Sequence, residues 1–467
     1  MTDKFELLDK CKRLHFAGIG GISMSTIAVL AKDNGCVVSG SDKQDSDTVQ
    51  KLRKKGIDVT IGHFAESVHG VDAVVYTAAL DLSNPELAEA ERLGIPLVSR
   101  GEYLGYLMSG YERRVGVSGT HGKTTTTGMI AHILMDAGFD PTVANGAILP
   151  EIGAAYREGS GDSFVYEACE YKDSFLSFCP TDAVITNVEL DHTDYFTSID
   201  HIVSSFSKAV SCARRVFVNA DSASAMKALE NYGGEIVRIS LDDRSADFSA
   251  ADVVYDHGLG KYTLMHRDLP VCEIALRLIG QFNVYNSLCA AAVAYTFGVP
   301  AEVISASLAT FRGAARRFER KAIVGGVSVY DDYAHHPSEC RSTLEALEKL
   351  NYSRVFCVFQ SHTYTRTHDL RDDFVKTFKE AVGRGINVIF AGVYAARETD
   401  DLGLDPAGIA ALADEVGALS FTRFDDIAEY LAGVVQSGDL VLTMGAGDVY
   451  KAGNMLIKLL EQRASRA

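Results

Sequence analysis

Short apolar runs recur along the chain, each followed by a glycine-rich or polar turn and then by a stretch with helical spacing. Arg13–Ala17 is the first, and GIGGISMS with a helical pattern reaching Asp33 comes after it. Cys36–Ser39 leads into GSD, and the runs Val71–Thr77 and Ile95–Val98 alternate with further helical patterns. A second series opens at Arg114–Val117 and passes through the loop SGTHGKTTTT into a helix reaching Ala137. It adds strands at Phe164–Ala168, Ala183–Asn187 and Val216–Asn219. A third series runs through Gly326–Tyr330, Val355–Phe359, Asn387–Phe390 and Leu440–Thr443. Such alternation predicts an α/β architecture, with parallel strands joined by helices that cover both faces of the sheet. Between about residues 235 and 280 the pattern changes to short alternating runs such as ADVVYD and KYTLMH. That change predicts an antiparallel edge or a small added antiparallel sheet. The changes of rhythm place boundaries near 110 and 315, giving three domains over 1–110, 111–315 and 316–467.

Composition narrows the class. A length of 467 residues suits roughly three domains of about 150 residues each. With 47% hydrophobic and 23% charged residues, the chain is globular and not disordered. Its net charge of −17 excludes a general basic surface for a nucleic-acid backbone. An anionic ligand would have to be met by a few placed donors and cations. Nine scattered Cys, with no CxxC pair, predict reduced thiols in a cytoplasm instead of a disulfide frame or a zinc site. The longest weakly polar run, Leu288 to Val299, is too short to span a bilayer, and the first residues carry charges where a signal peptide needs an apolar core. A soluble cytoplasmic protein is the expectation.

The chemistry gathers at the turns. Gly18, Gly20 and Gly21, followed by Ser23, sit between a strand and a helix. Glycines there let the backbone approach a pyrophosphate, and the helix N-terminus supplies N–H donors. Asp42 ends the next strand, where an acid would meet a ribose. NAD and other nucleotide diphosphates both fit this loop. Gly119-Thr-His-Gly122-Lys123-Thr124 also follows a strand and opens a helix. The P-loop pattern GxxxxGK[ST] would need glycine at 117, where this chain has Val117. The physics is nevertheless that of a triphosphate cradle, with Lys123 reaching the β- and γ-phosphates and Thr124 on Mg²⁺. Thr124 to Thr127 are poor helix formers, which points to a local role in that first turn. Two phosphate loops suit a chain that couples two substrates better than one that senses a single ligand.

Carboxylates and imidazoles follow. Glu167 ends FVYEA, and Glu189, Asp191, His192 and Asp194 follow VITN. In an open parallel sheet the ligand crevice lies outside the carboxyl ends of the strands, where such groups can bind Mg²⁺. Arg316, Arg317, Asp331, Asp332, His335 and His336 open the third segment, and Gln360, His362 and Arg366 follow one of its strands. The MGAGD stretch at Met444 reads as a plain strand-to-helix turn.

Taken in order, HFAGIGGISMS, VSGSD, GTHGKTTTT, EACEYKDSF, TNVELDHTDYF, GQFNVYN, FRGAARRFE, DDYAHHP and HTYTRT resemble the Mur ligase family, the cytoplasmic ATP-dependent enzymes that build the peptidoglycan stem peptide. The blocks span residues 15 to 367. The resemblance implies an N-terminal Rossmann-like domain for a UDP-sugar, a central P-loop ATPase-type domain and a C-terminal Rossmann-like domain for an amino acid. It reassigns the first loop from NAD to UDP-N-acetylmuramate, through Gly18, Gly20, Gly21, Ser23, Ser41 and Asp42. It gives ATP the residues Gly119, Thr120, His121, Gly122, Lys123, Thr124, Thr125, Asn283, Asn286, Arg317 and Asp332. Mg²⁺ would lie on Thr124, Glu167 and His192, and catalysis would rest on Lys123, Glu167, His192 and Arg317. Tyr333, His335, His362 and Arg366 would surround the amino acid.

The implied reaction joins L-alanine to the lactyl carboxylate of UDP-N-acetylmuramate through an acyl phosphate. No nucleic acid or membrane insertion is implied, and a homodimer is allowed. Two positions depart from the alanine-adding branch: Phe282 stands where many members have His, and Thr363 where many have Arg. A related ligase that attaches a recycled murein tripeptide to the same nucleotide sugar is the alternative within the family. An NAD-dependent oxidoreductase and a non-catalytic nucleotide-binding regulator are the alternatives outside it, and the triphosphate loop with its Lys, Glu and His speaks against both.

Overall fold

The computed structural model describes residues 2–465 except 78, 193, 194, 257, 349, 351 and 397. The first sheet contains β1 (Arg13–Ala17), β2 (Val37–Asp42), β3 (Asp58–Ile61), β4 (Ala73–Tyr76) and β5 (Leu97–Ser99). They lie in the order β3-β2-β1-β4-β5, all parallel. The chain leaves β1 toward one side and returns at β4 on the other. That reversal opens a crevice above the carboxyl end of β1, where the Gly18 loop sits.

Ten strands form the second sheet: β6 (Arg113–Ser118), β7 (Thr142–Leu149), β8 (Ala154–Arg157), β9 (Ser163–Glu167), β10 (Asp182–Ile185), β11 (Arg215–Asn219), β12 (Glu235–Ser240), β13 (Phe248–Asp256), β14 (Leu259–His266) and β15 (Leu269–Ile279). Their order is β15-β14-β13-β12-β11-β10-β6-β9-β7-β8. β6 pairs in parallel with both β9 and β10, so the turns after these three strands share one end of the sheet. The alternating stretch from 235 to 280 is not set apart as a sheet of its own but extends the edge of this one. Connections as short as those from β13 to β15 allow only antiparallel neighbours.

The third sheet contains β16 (Glu319–Val324), β17 (Val327–Asp332), β18 (Val355–Phe359), β19 (Asn387–Ala391), β20 (Leu419–Phe421) and β21 (Leu440–Met444), in the order β16-β17-β21-β18-β19-β20. β16 is antiparallel to β17, and the remaining pairs are parallel.

The chain forms two compact units. One comprises Met1–Val253, Tyr262–Ala275 and Val284–Phe311; the other comprises Val254–Lys261, Leu276–Asn283 and Arg312–Ala467. Within the first, one apolar cluster runs from Phe16 and Ile27 through Tyr103 to Phe164, Ile185 and Phe206. The Phe16 and Tyr103 rings meet edge to face at 5.6 Å, a favoured aromatic geometry. The first two sheets therefore share a core. In the second unit, Phe359, Phe374, Phe378 and Phe390 pack together under β18 and β19.

Several strands that the pattern did not predict lie at sheet edges. β3 and β16 are mostly exposed, and β16 begins Glu-Arg-Lys, so neither carries an apolar run. Cys179 and Cys212 are joined as a disulfide, unlike the reduced thiols expected throughout. Among the described residues no helix is long and apolar enough to cross a membrane.

Candidate active site

β6 ends at Ser118, and the helix Lys123–Asp136 begins five residues later. Gly119 (φ 140°) and Gly122 (φ 84°) make that turn. A Cβ at Gly119 would collide with Thr186 Oγ1, and one at Gly122 with Asn286 Oδ1, so both positions demand glycine. The segment after β10 braces the loop. Thr120 N–H donates to Asn187 O (3.1 Å) and His121 N–H to Asn187 Oδ1 (2.8 Å). Thr186 Oγ1 donates to His121 O (2.6 Å), and Glu189 N–H to Thr120 Oγ1 (2.9 Å). Val117 lies inside β6, paired with Val184 and Glu167, so the missing P-loop glycine is a strand residue here and leaves the turn intact. Thr124, Thr125, Thr126 and Thr127 are buried in the first turn of the helix.

Lys123 Nζ donates to Gly119 O (2.5 Å), Thr120 O (3.1 Å) and Glu170 Oε1 (3.0 Å). Burial works against its ammonium, but the facing Glu170, Cys169 and Glu167 outweigh it and raise its pKa. Glu170 is itself completely buried, three residues past the end of β9. Burial would hold its carboxyl neutral, yet Lys123 and then His192 pull its pKa below the ordinary value. His192 Nε2 stands 3.6 Å from the same Glu170 Oε1. Burial lowers the His192 pKa, but the hydrogen bond to Glu170 together with the negative charges of Asp191 and Glu170 outweighs it, so the net shift is upward. His192 adopts φ 52°, an uncommon left-handed conformation, with its ring against Tyr171 at 4.8 Å. Glu167 accepts the Gly146 N–H at 2.9 Å. Glu189 faces His121 at 3.6 Å, and Asp191 accepts the His192 N–H at 2.6 Å. Asp194 lies outside the described residues.

The N-terminal loop belongs to the same unit. Gly18 and Ile19 N–H both donate to Ser41 O (2.9 Å each), and Gly20 N–H donates to Asp42 Oδ2 (2.8 Å). A Cβ at Gly18 would stand 2.7 Å from Thr77 Cγ2, so glycine is needed where β1 and β4 part. Ser41 is completely buried, and its hydroxyl donates to Glu86 Oε2 at 2.6 Å. Glu86 also takes His63 Nδ1 at 2.9 Å. Ser41 therefore braces the loop through its backbone carbonyl and Asp42 through its side chain. Ser23 Oγ accepts from Arg100 Nη1 at 2.8 Å. Burial lowers the pKa of Arg100, while Cys169 and Glu167 favour its charge. Arg100 thus spans from the first loop toward the carboxylates behind the second. The sequence reading missed it, because it follows the short strand β5 as an unremarkable Ser-Arg-Gly-Glu.

The second unit gathers its own polar cluster at the carboxyl ends of its strands. Asp332 is buried, and its carboxylate accepts from Phe318 N–H (2.7 Å) and Ala334 N–H (2.8 Å); burial raises its pKa to about 6. It fastens the turns that carry Arg317 and Tyr333. Arg317 lies over the Tyr333 ring at 5.3 Å. Arg316 is held by Asp331 (2.9 Å) and by the carbonyls of Gly447 and Gly445. His335 faces His362 at 5.7 Å, and His362 stacks on Tyr394 at 5.6 Å. Burial, then His335 and Arg366, lower the His362 pKa to about 4. Burial likewise lowers that of His335. In the MGAGD turn, Gln360 Oε1 accepts from Asp448 and Val449 N–H (2.9 and 3.0 Å), so the chain's own side chain fills it. Asn283 donates to Ile279 O at 2.8 Å, and Phe282 beside it is 43% exposed.

Among the described residues no three His, Cys, Asp or Glu converge as a closed metal cage. Mg²⁺ does not require one: it takes one or two protein oxygens and completes its shell with water and substrate phosphates. The Glu167 carboxylate and the Thr124 hydroxyl beside the phosphate turn fit such an open site, and the buried Glu170 Oε2 accepts no hydrogen bond among the described residues.

Residues 13–112 match the model described as Mur ligase family, catalytic domain; 117–294 match the Mur ligase middle domain; 316–447 match the Mur ligase, glutamate ligase domain. A UDP-N-acetylmuramate–L-alanine ligase of Acetivibrio thermocellus is 42% identical over 464 residues, 98% of each chain. Its counterpart in Caldanaerobacter subterraneus is 42% identical over 97% of this chain and 98% of its own. The crystal structure of the UDP-N-acetylmuramate–alanine ligase of Thermotoga maritima superposes with a TM-score of 0.81 at 26% identity, covering 97% of this chain and 99% of that one. With three family models in sequence and relatives matched nearly end to end, the chain belongs to the Mur ligase family.

Proposed function

We propose that the chain joins L-alanine to the lactyl carboxylate of UDP-N-acetylmuramate with consumption of ATP, in peptidoglycan precursor synthesis. The observation that carries this reading is the triphosphate turn that follows β6, with Lys123 paired to the buried Glu170 at 3.0 Å, in a chain 42% identical over its length to ligases of that name. A carboxylate does not acylate an amine directly, because its oxygen is a poor leaving group. Phosphorylation of the lactyl carboxylate by the γ-phosphoryl group of ATP gives an acyl phosphate. The amine of L-alanine attacks its carbonyl carbon, and the tetrahedral oxyanion collapses to the amide with loss of phosphate.

Lys123 neutralises charge as it moves from ATP to the acceptor oxygen. Gly119, Thr120, His121, Gly122, Thr124, Thr125 and Asn286 cradle the triphosphate. Asn283, Arg317 and Asp332 belong to the second unit, and their assignment to the nucleotide rests on motif resemblance. Asp332 acts there by holding the Arg317 turn in place, since both of its oxygens accept backbone N–H groups. Thr124, Glu167 and His192 would hold Mg²⁺, which when bound screens phosphate charge. Gly18, Gly20, Gly21 and Ser23, braced by Ser41 and Asp42, receive the diphosphate of the sugar nucleotide, with Arg100 as an added cation. Tyr333, His335, His362 and Arg366 surround the amino acid. The domains are assigned in the order sugar nucleotide (1–110), ATP (111–315) and amino acid (316–467). The reaction takes place in the cytoplasm, without nucleic acid or membrane insertion, and a homodimer is compatible with it. The test is incubation with ATP, Mg²⁺, UDP-N-acetylmuramate and each amino acid or the murein tripeptide, with the product weighed by mass spectrometry. An L-alanine adduct supports the reading, and a tripeptide adduct alone overturns it.

A further inference from the structure

All three N–H bonds of the Lys123 ammonium are engaged, by Gly119 O, Thr120 O and Glu170 Oε1. An ammonium has three donors and no acceptor, so a phosphate oxygen reaches it only by displacing one of these partners. The two carbonyls belong to the turn and move with it. Glu170 is the charged partner, and it comes from the loop after β9. Its Oε1 also stands 3.6 Å from His192 Nε2, and its buried Oε2 accepts no hydrogen bond among the described residues. A buried carboxylate is strongly destabilised when its counter-charge departs, so a second cationic or donor group within reach matters. The turn beyond Glu170 is anchored, because Asp173 N–H donates to Glu170 O (2.9 Å) and the Asp173 carboxylate accepts from Tyr195 Oη (2.7 Å) and from Ser205 Oγ. An exchange at Glu170 by rotation of its side chain leaves these contacts in place.

We propose that Glu170 is a positioning residue that changes partner when nucleotide arrives. It holds Lys123 over the turn before nucleotide enters, yields the ammonium to the triphosphate, and turns its carboxylate onto His192. Nucleotide entry is thereby coupled to the orientation of the imidazole. This rests on the reading of residues 119–125 as the ATP cradle.

The test is calorimetric titration of metal-free ATP into the full-length wild type, Glu170→Gln, Lys123→Met and the double variant, together with ADP release at saturating substrates. The expected result is that Glu170→Gln binds ATP about fivefold tighter than wild type, because phosphate no longer competes with a carboxylate for Lys123. In the Lys123→Met background the same change shifts affinity by less than about twofold, the non-additivity of groups in contact. Turnover of Glu170→Gln falls at least about tenfold without a rise in the KM for ATP. Unchanged or weaker ATP binding by Glu170→Gln overturns the proposal. So does an equal gain in both backgrounds, which is what simple repulsion between carboxylate and triphosphate produces. If thermal melting shows that Glu170→Gln does not fold, Glu170→Asp takes its place, and absence of any gain in ATP affinity there is equally decisive. A wild type that binds no ATP overturns the cradle reading itself, which separates that failure from failure of the exchange.

Discussion

Lys123 is the residue on which the proposed chemistry turns, and its surroundings show why no other side chain replaces it. It opens a helix, so its ammonium adds to the positive end of the backbone dipole. Lys123→Ala removes that charge while leaving the glycine turn braced by Thr186 and Asn187. Product formation in a coupled ADP-release assay should fall by at least about 10²–10³-fold, and the thermal midpoint should fall as well, because the buried Glu170 is left without its main counter-charge. His362 makes a different prediction. Its folded pKa of about 4 lies below the ordinary histidine value, so on acidification the unfolded chain takes up this proton first. Its contribution to stability is complete at neutral pH and is lost as pH falls through about 6.5 toward 4. Thermal midpoints of the wild type should decline over that window, and His362→Gln should flatten the decline. A wild-type profile parallel to that of the variant would show that His362 is not held neutral.

At the scale of elements, the readable parts were those where one local constraint decides the structure. The strands that end at Ser118, Glu167 and Asp332 carry apolar runs, and the turns after them need glycine or a fixed polar anchor, so both runs and turns show in the sequence. β3 and β16 did not show, because an exposed edge strand has no apolar face to repeat. Arg100 and Glu170 were missed for another reason. Each gains its meaning from a partner far along the chain, Ser23 for Arg100 and Lys123 for Glu170, and spacing carries no trace of such a contact. Thr363 lies between these cases, visible as a departure from the family pattern but not as a conformation. It adopts φ 65° and ψ 149°, a region that non-glycine residues enter at a cost of about 1–3 kcal/mol. Its N–H donates to Tyr394 O at 2.8 Å, which holds the strained turn that carries His362 and Arg366. Thr363→Gly should raise stability by about 1 kcal/mol, the relief of strain being partly offset by the lost helix cap. The same change should raise the KM for the amino acid several-fold by loosening that turn. A stability gain in denaturant melts with unchanged KM would separate the conformation of Thr363 from its proposed role.

Across the whole molecule, the logic is that of parallel sheets whose ligand-facing turns all lie at carboxyl ends. In the first unit the Gly18 loop and the Gly119 loop belong to sheets with one continuous core, and Arg100 reaches from one toward the other. A chain that only bound a dinucleotide would have no use for the second loop, and a chain that only bound ATP would have none for the first. The requirement for both is testable by omission. With ATP and Mg²⁺ alone, ADP release should stay near background, because no carboxylate is present to receive the phosphoryl group. Adding UDP-N-acetylmuramate without an amino acid should give at most one equivalent of ADP per active site if the acyl phosphate is protected from water. Adding L-alanine should then start continuous turnover with stoichiometric amide. Steady ADP release without the sugar nucleotide would identify an uncoupled ATPase. Release that depends on the sugar but is indifferent to L-alanine would mean that Tyr333, His335, His362 and Arg366 serve a different acceptor amine.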